Sequence, residues 1–190
     1  SALPKTGQLI EDGWKQLFPA ALKKSGALKM REYLRTLTSK DSSLRDIIAP
    51  RLAEVDGLIV KSYFAQAKAL LAKKDFAATR AKYKQIIAEY PDSDASRLAE
   101  AELPKVVPVA VNYYKQVADA NFHPEAKIGV PQGKALEYYQ KMYNEDPDGP
   151  KADYALYYWA RALGTEGKAA QKVKLLQEHL QKFPQSGIRD

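Results

Sequence analysis

Residues 58–93 read LIVKSYFAQAKALLAKKDFAATRAKYKQIIAEYPDS, and this stretch decides the fold. Leu58, Ile59, Tyr63, Ala67, Leu70 and Leu71 recur at steps of one, three and four, which makes one apolar helical stripe. Lys73-Lys74-Asp75 is a short polar turn. Ala78, Ala81, Tyr83, Ile86 and Ile87 then form a second stripe. Pro91 closes it, because proline lacks the N–H a helix needs and disfavours helical geometry at Tyr90. Two helices of about 14 residues joined by so short a turn lie antiparallel.

The pattern returns further along. Thr79, Tyr83, Ile86 and Pro91 share their spacing with Ala135, Tyr139, Met142 and Pro147, and again with Lys172, Leu176, His179 and Pro184. The turn recurs as Lys74-Asp75-Phe76, Gly133-Lys134-Ala135 and Gly167-Lys168-Ala169. Upstream, Tyr63, Ala67 and Leu70 match Leu156, Ala160 and Leu163. Small residues at 67 and 160 let paired helices approach closely, and Tyr83, Tyr139 and Leu176 fill the seam. Three copies in phase are hard to obtain by accident.

On these residues the chain resembles tetratricopeptide-repeat proteins. The resemblance implies an all-α fold in which antiparallel helix pairs stack as a short right-handed α-solenoid. The expected units are residues 60–94, 104–148 with a long loop, and 153–187, inside a repeat region of residues 59–190. The intervals between Pro91, Pro147 and Pro184 are 56 and 37 residues, against a usual period of about 34. The longer one has room for an extra helix at 93–103, capped by Ser93 or Asp94. Its partner helix then runs from Lys105 or Val109 to Ala120, followed by a loop from Asn121 to Gln132.

Residues 1–58 read as a separate region of irregular helices, a cap or degenerate pair. Leu9, Ile10, Trp14, Leu17 and Phe18 suggest a first helix stopped at Pro19. Leu28, Met30, Tyr33, Leu34 and Leu37 suggest a second. Leu44, Ile47, Ile48, Leu52 and Val55 suggest a third, interrupted by Pro50.

Composition narrows the function. The chain has 190 residues, no Cys and two His, which excludes disulfide scaffolds, thiolate metal sites and cysteine nucleophiles. A chain this long buries about 70% of its unfolded surface and needs no metal staple. There is no apolar run of about 18 residues, hence no membrane-spanning helix, and no signal-like apolar core opens the chain. The opening residues fit either a mature chain or a trimmed one, and the ending QKFPQSGIRD suggests that more followed. The net charge of +7 is spread as excesses of +3, +2 and +2 over residues 1–58, 59–103 and 104–190. Mostly lysine and without a basic block, it describes a solvated surface and argues against nucleic acid, with RNA or an anionic membrane surface as the remaining charge-driven reading.

Chemistry-bearing clusters are few. His123 and Glu125 are at best half a metal site in a loop. His179 sits on a packing face. Glu145, Asp146 and Asp148 share a turn rich in Pro and Gly. There is no phosphate loop, nucleophile elbow or zinc-protease motif, so neither enzyme activity, nor a cofactor, nor a metal is expected. The tyrosines stand out instead: Tyr113-Tyr114, Tyr138-Tyr139 and Tyr154, Tyr157 and Tyr158 crowd the second half. Neighbours on a helix point about 100° apart, so one of each pair should pack and the other reach a surface.

The resemblance implies a protein or peptide partner held on a concave face lined by each unit's first helix. The matching positions are Lys61, Phe64 and Lys68 in one unit and Tyr154, Tyr157 and Arg161 in another. Lys68 and Arg161 would take carboxylates and the aromatics would anchor the ligand. The aromatic-Pro-x-Ser ends at Tyr90-Pro91-Asp92-Ser93 and Phe183-Pro184-Gln185-Ser186 are similar to repeats of periplasmic and outer-membrane assembly lipoproteins, which implies the cell envelope. A homo-oligomer built through exposed tyrosine rows is the alternative scaffold.

Overall fold

A computed structural model describes residues 26–188, and before them residues 12, 14, 15, 18–21 and 23. Among the described residues every regular element is helical. The order is α1 (Ala27–Lys40), α2 (Arg45–Ala72), α3 (Phe76–Glu89), α4 (Asp94–Glu102), α5 (Val106–Asn121), α6 (Lys134–Glu145), α7 (Ala152–Thr165) and α8 (Ala169–Lys182). One-turn 3₁₀ helices at Ser42–Leu44 and Leu103–Lys105 lead into α2 and α5. Helices pack on their chain neighbours, and α3 packs additionally on α5. This is a helical solenoid of the expected tetratricopeptide type.

The turns repeat at the level of hydrogen bonds. After α2, Lys74 N–H donates to the Leu71 carbonyl and Asp75 N–H to Leu70, with Lys74 at φ 63°. After α7, Gly167 N–H donates to Gly164 and Lys168 N–H to Leu163, with Gly167 at φ 80°. Both are the same helix stop, in which one left-handed residue lets two amides satisfy orphan carbonyls. Asp75 then accepts from Ala78 N–H at 3.1 Å and caps α3.

The extra helix is where the spacing placed it. Ser93 Oγ accepts from Ser96 N–H at 3.1 Å and starts α4. The seam residues are inside: Tyr83, Tyr139, Ala67 and Ala160 are all buried, and Leu176 is half-buried. One core joins α1 to α5 around Leu34, Val55, Ile59, Phe76 and Ile86. A second joins α5 to α8 around Met142, Leu156 and Leu163, and a third joins α5, α6 and α7 around Tyr139 and Ala162.

The first region departs from its reading. Pro50 does not interrupt anything: α2 runs unbroken through it and through residue 58, so the expected boundary there falls inside a helix. Ile48, Val55, Ile59 and Tyr63 form one buried stripe along α2, and that packing outweighs the single backbone bond Pro50 removes. Pro19 likewise lies in helical backbone, residues 18–21. Trp14 and Phe18 stack at 4.2 Å, whereas Leu9, Ile10 and Leu17 lie outside the described residues.

Candidate functional site

A row of side chains is built by α5 and α7, which run in parallel register. Lys151 Nζ donates to Asn112 Oδ1, and Lys115 Nζ sits 4.1 Å from the Tyr154 ring centre, a constant offset of 39 residues. Lys115 also pairs with Asp119, one turn on. Asp119 Oδ1 accepts from the hydroxyls of Tyr154 and Tyr139, each at 2.9 Å. One carboxylate thus ties three helices together. Burial and then the Asp119 acceptor raise the Tyr139 and Tyr154 hydroxyls above the ordinary tyrosine value. Burial works to lower Lys115, but its bonds to Asp119 and Tyr154 outweigh that and raise it.

Rings continue this row. Tyr139 contacts Phe122, Tyr154 and Tyr158, and Tyr158 meets Tyr154 at 4.3 Å and Tyr157 at 5.2 Å. Tyr157 then meets His179, and His179 meets Phe183. Edge-on and tilted contacts at these separations stabilise aromatic pairs beyond area burial.

Tyr157 is therefore not the exposed anchor the resemblance implied; it is 5% exposed. α7 is covered by both α6 and α8, so its buried arc is wide enough to take in Ala155, Leu156 and Tyr157 together. Tyr154 is half-buried and occupied by Asp119 and Lys115. Arg161 is half-buried, its guanidinium 6.0 Å from the Tyr157 ring centre. Phe64 is half-buried against Tyr83 at 6.1 Å, and Lys61 and Lys68 are exposed. The two expected triplets stand on α2 and α7, with α3 to α6 between them in the packing order. Asn112, Lys115 and Asp119 escaped the sequence reading because only α6 of that unit could be phased; the i, i+4 spacing of Lys115 and Asp119 was the available signal.

The remaining clusters are structural in form. Arg31 donates to Glu89 at 3.0 Å and to the Tyr90 hydroxyl at 2.9 Å, and Tyr90 donates to Asp56 at 3.1 Å. These bonds join α1, α2 and α3. His179 is buried and bonded to Asp153 Oδ1, and Ser186 Oγ donates to both Asp153 oxygens at 2.9 and 2.8 Å. The carboxylate stands between histidine and serine here, an order that cannot activate the serine as a nucleophile. In the acidic turn, Glu145 pairs with Arg80 and Asp148 with Lys182. His123 is exposed, and among the described residues no three ligating side chains converge as a metal would require.

A family model described as Tetratricopeptide repeat matches residues 61–93 and 154–186. These are the first and last units of the phased pattern, and such repeats generally mediate protein–protein interaction. No curated protein and no solved structure matches the chain.

Proposed function

We propose that this chain is a non-catalytic scaffold that holds an extended peptide or helix of a partner protein along the inner face of α2, α5 and α7. The observation that carries it is the exposed Lys61 and Lys68 on α2, and Tyr154 and Arg161 on α7, the first helices of the two units that match a repeat type serving protein binding, with Lys115 of α5 against the Tyr154 ring. The exposed Lys61 and Lys68 and the half-buried Arg161 would select a ligand bearing carboxylates, and the half-buried Phe64 and Tyr154 supply flat contact area. The repeat match also supports the non-catalytic part of the reading.

A photo-cross-linking residue at position 64 or 154 tests this. In native extract it should give discrete protein adducts that Lys68→Glu with Arg161→Glu abolishes. The same group at the exposed Leu98 of α4 should give none of them. Adducts at Leu98 alone, or adducts indifferent to the charge reversals, would overturn the reading. In this reading the setting is the cell envelope, supported by the two aromatic-Pro-x-Ser ends; fractionation that recovers the native protein with cytosolic markers removes that part alone.

A further inference from the structure

Two features outside the inner face complement each other. The first is a cavity of about 550 Å³ at the α1–α2 end, walled by Trp14, Leu34, Leu37, Leu44, Ile47 and Ile48. Its size lies within the range of sites that enclose a ligand group. Asp46 and the half-exposed Tyr33 also line it. The Trp14 indole N–H is buried without a hydrogen-bond partner, which favours an occupant carrying an acceptor such as a backbone carbonyl. Arg51 lies over the Trp14 ring at 5.5 Å and is paired with Glu54, so the negative charge of Asp46 is what the mouth offers an incoming cation.

The second is the loop between α5 and α6. It is long, yet it is tied down. Gly129 N–H donates to the Thr165 carbonyl at 2.7 Å. The buried Gln132 accepts from His123 N–H at 3.0 Å, and its own N–H donates to Glu166 Oε1 at 2.9 Å. Held this way, the loop presents Ile128 at 82% exposure, with Val130 beside it and Lys127 just before it. An apolar side chain fixed in water with its ordering entropy already spent is a preorganised contact. It is fastened to the α7–α8 turn, whereas the cavity belongs to α1 and α2, so within one chain the helices between keep them apart.

We propose that Ile128 and Val130 of one copy enter the Trp14–Ile47 cavity of a second copy, with Lys127 meeting Asp46, so that the chain associates head to tail. Such a contact is heterologous: each copy keeps a free loop at one end and a free cavity at the other, and growth continues unless a ring closes. No inner-face residue takes part, so this inference and the partner-binding reading fail independently.

Size-exclusion chromatography with light scattering on the full chain, over a concentration series, decides it. The unaltered chain should gain mass with concentration. Ile128→Asp should raise the dissociation constant about tenfold or more, while helical content stays the same. Ile47→Glu should do likewise, and Tyr33→Glu at the same mouth guards against misfolding of that variant. Mixing Ile128→Asp with Ile47→Glu should restore a dimer and nothing larger, since one brings the cavity and the other the loop. A chain that stays monomeric throughout, association unchanged in Ile128→Asp, or a mixture that stays monomeric would each overturn the proposal.

Discussion

Glu89 shows how single residues hold the first pairs together. Burial alone would raise its carboxyl, but hydrogen bonds from Gln85 and Arg31, with the Arg31 charge, outweigh that and hold it below its ordinary 4.5. A carboxylate depressed in the folded state contributes stability above its unfolded value, and that contribution is lost as pH falls through the folded one. The melting temperature should therefore drop as pH falls below about 4.5. Glu89→Gln should cost about 1–2 kcal/mol at neutral pH and flatten that drop, as thermal melts across the acid range would show. Tyr157 makes the opposite point. The family resemblance makes it a ligand anchor, yet its ring lies between Tyr158 and His179. Tyr157→Ala should lower stability by about 3 kcal/mol or more in denaturant titration, so it cannot serve as a selective binding variant.

At the scale of elements, the stops and starts of helices were the most legible part of the chain. Ser93, Asp75 and Gly167 all act within a few residues, local enough for spacing to place their turns. Ser93→Ala should cost about 1 kcal/mol through the lost α4 cap. Gly167→Ala should cost about 1–2 kcal/mol, because a Cβ is strained at φ 80°. The companion change Lys74→Gly relieves the same strain at φ 63° but gives up the Lys74 contact with the Tyr113 ring, so its gain should be smaller than the Gly167→Ala loss. Calorimetry of the three variants checks the ranking. Proline was the misleading signal: Pro91 ends a helix, whereas Pro50 sits inside α2. The difference is the long buried stripe that continues past Pro50 and holds the chain helical.

Across the whole molecule, tyrosine is the shared material of the seams. Burial, with Asp56 next, pushes Tyr90 up to about 12, and burial likewise raises Tyr63, Tyr83, Tyr114, Tyr139, Tyr143 and Tyr154. In the unfolded chain tyrosine ionises near pH 10. Stability from raised hydroxyls is complete below that value and is lost as pH rises past it towards the folded values. Tyrosinate absorbance should therefore climb together with loss of helix signal above about pH 10, in one cooperative step. Stepwise tyrosinate formation with helix content intact would show that these hydroxyls are not seam components. The charge has no comparable place in the seams: lysines such as those of Lys115–Asp119, Lys141–Glu137 and Lys105–Glu102 sit in local pairs within one helix turn, and the +7 surplus is spread along the chain.

By itself the sequence determined the helical class, the paired repeats at either end of the phased region, the extra α4 and the long loop after α5. Those follow from period, caps and breakers, which act within a few residues. Tertiary structure alone decided the parallel register of α5 and α7, the convergence of Lys115, Tyr139 and Tyr154 on Asp119, and the burial of Tyr157. Each depends on which neighbour covers a helix face, and the helical period shows how wide a face is without showing what lies across it.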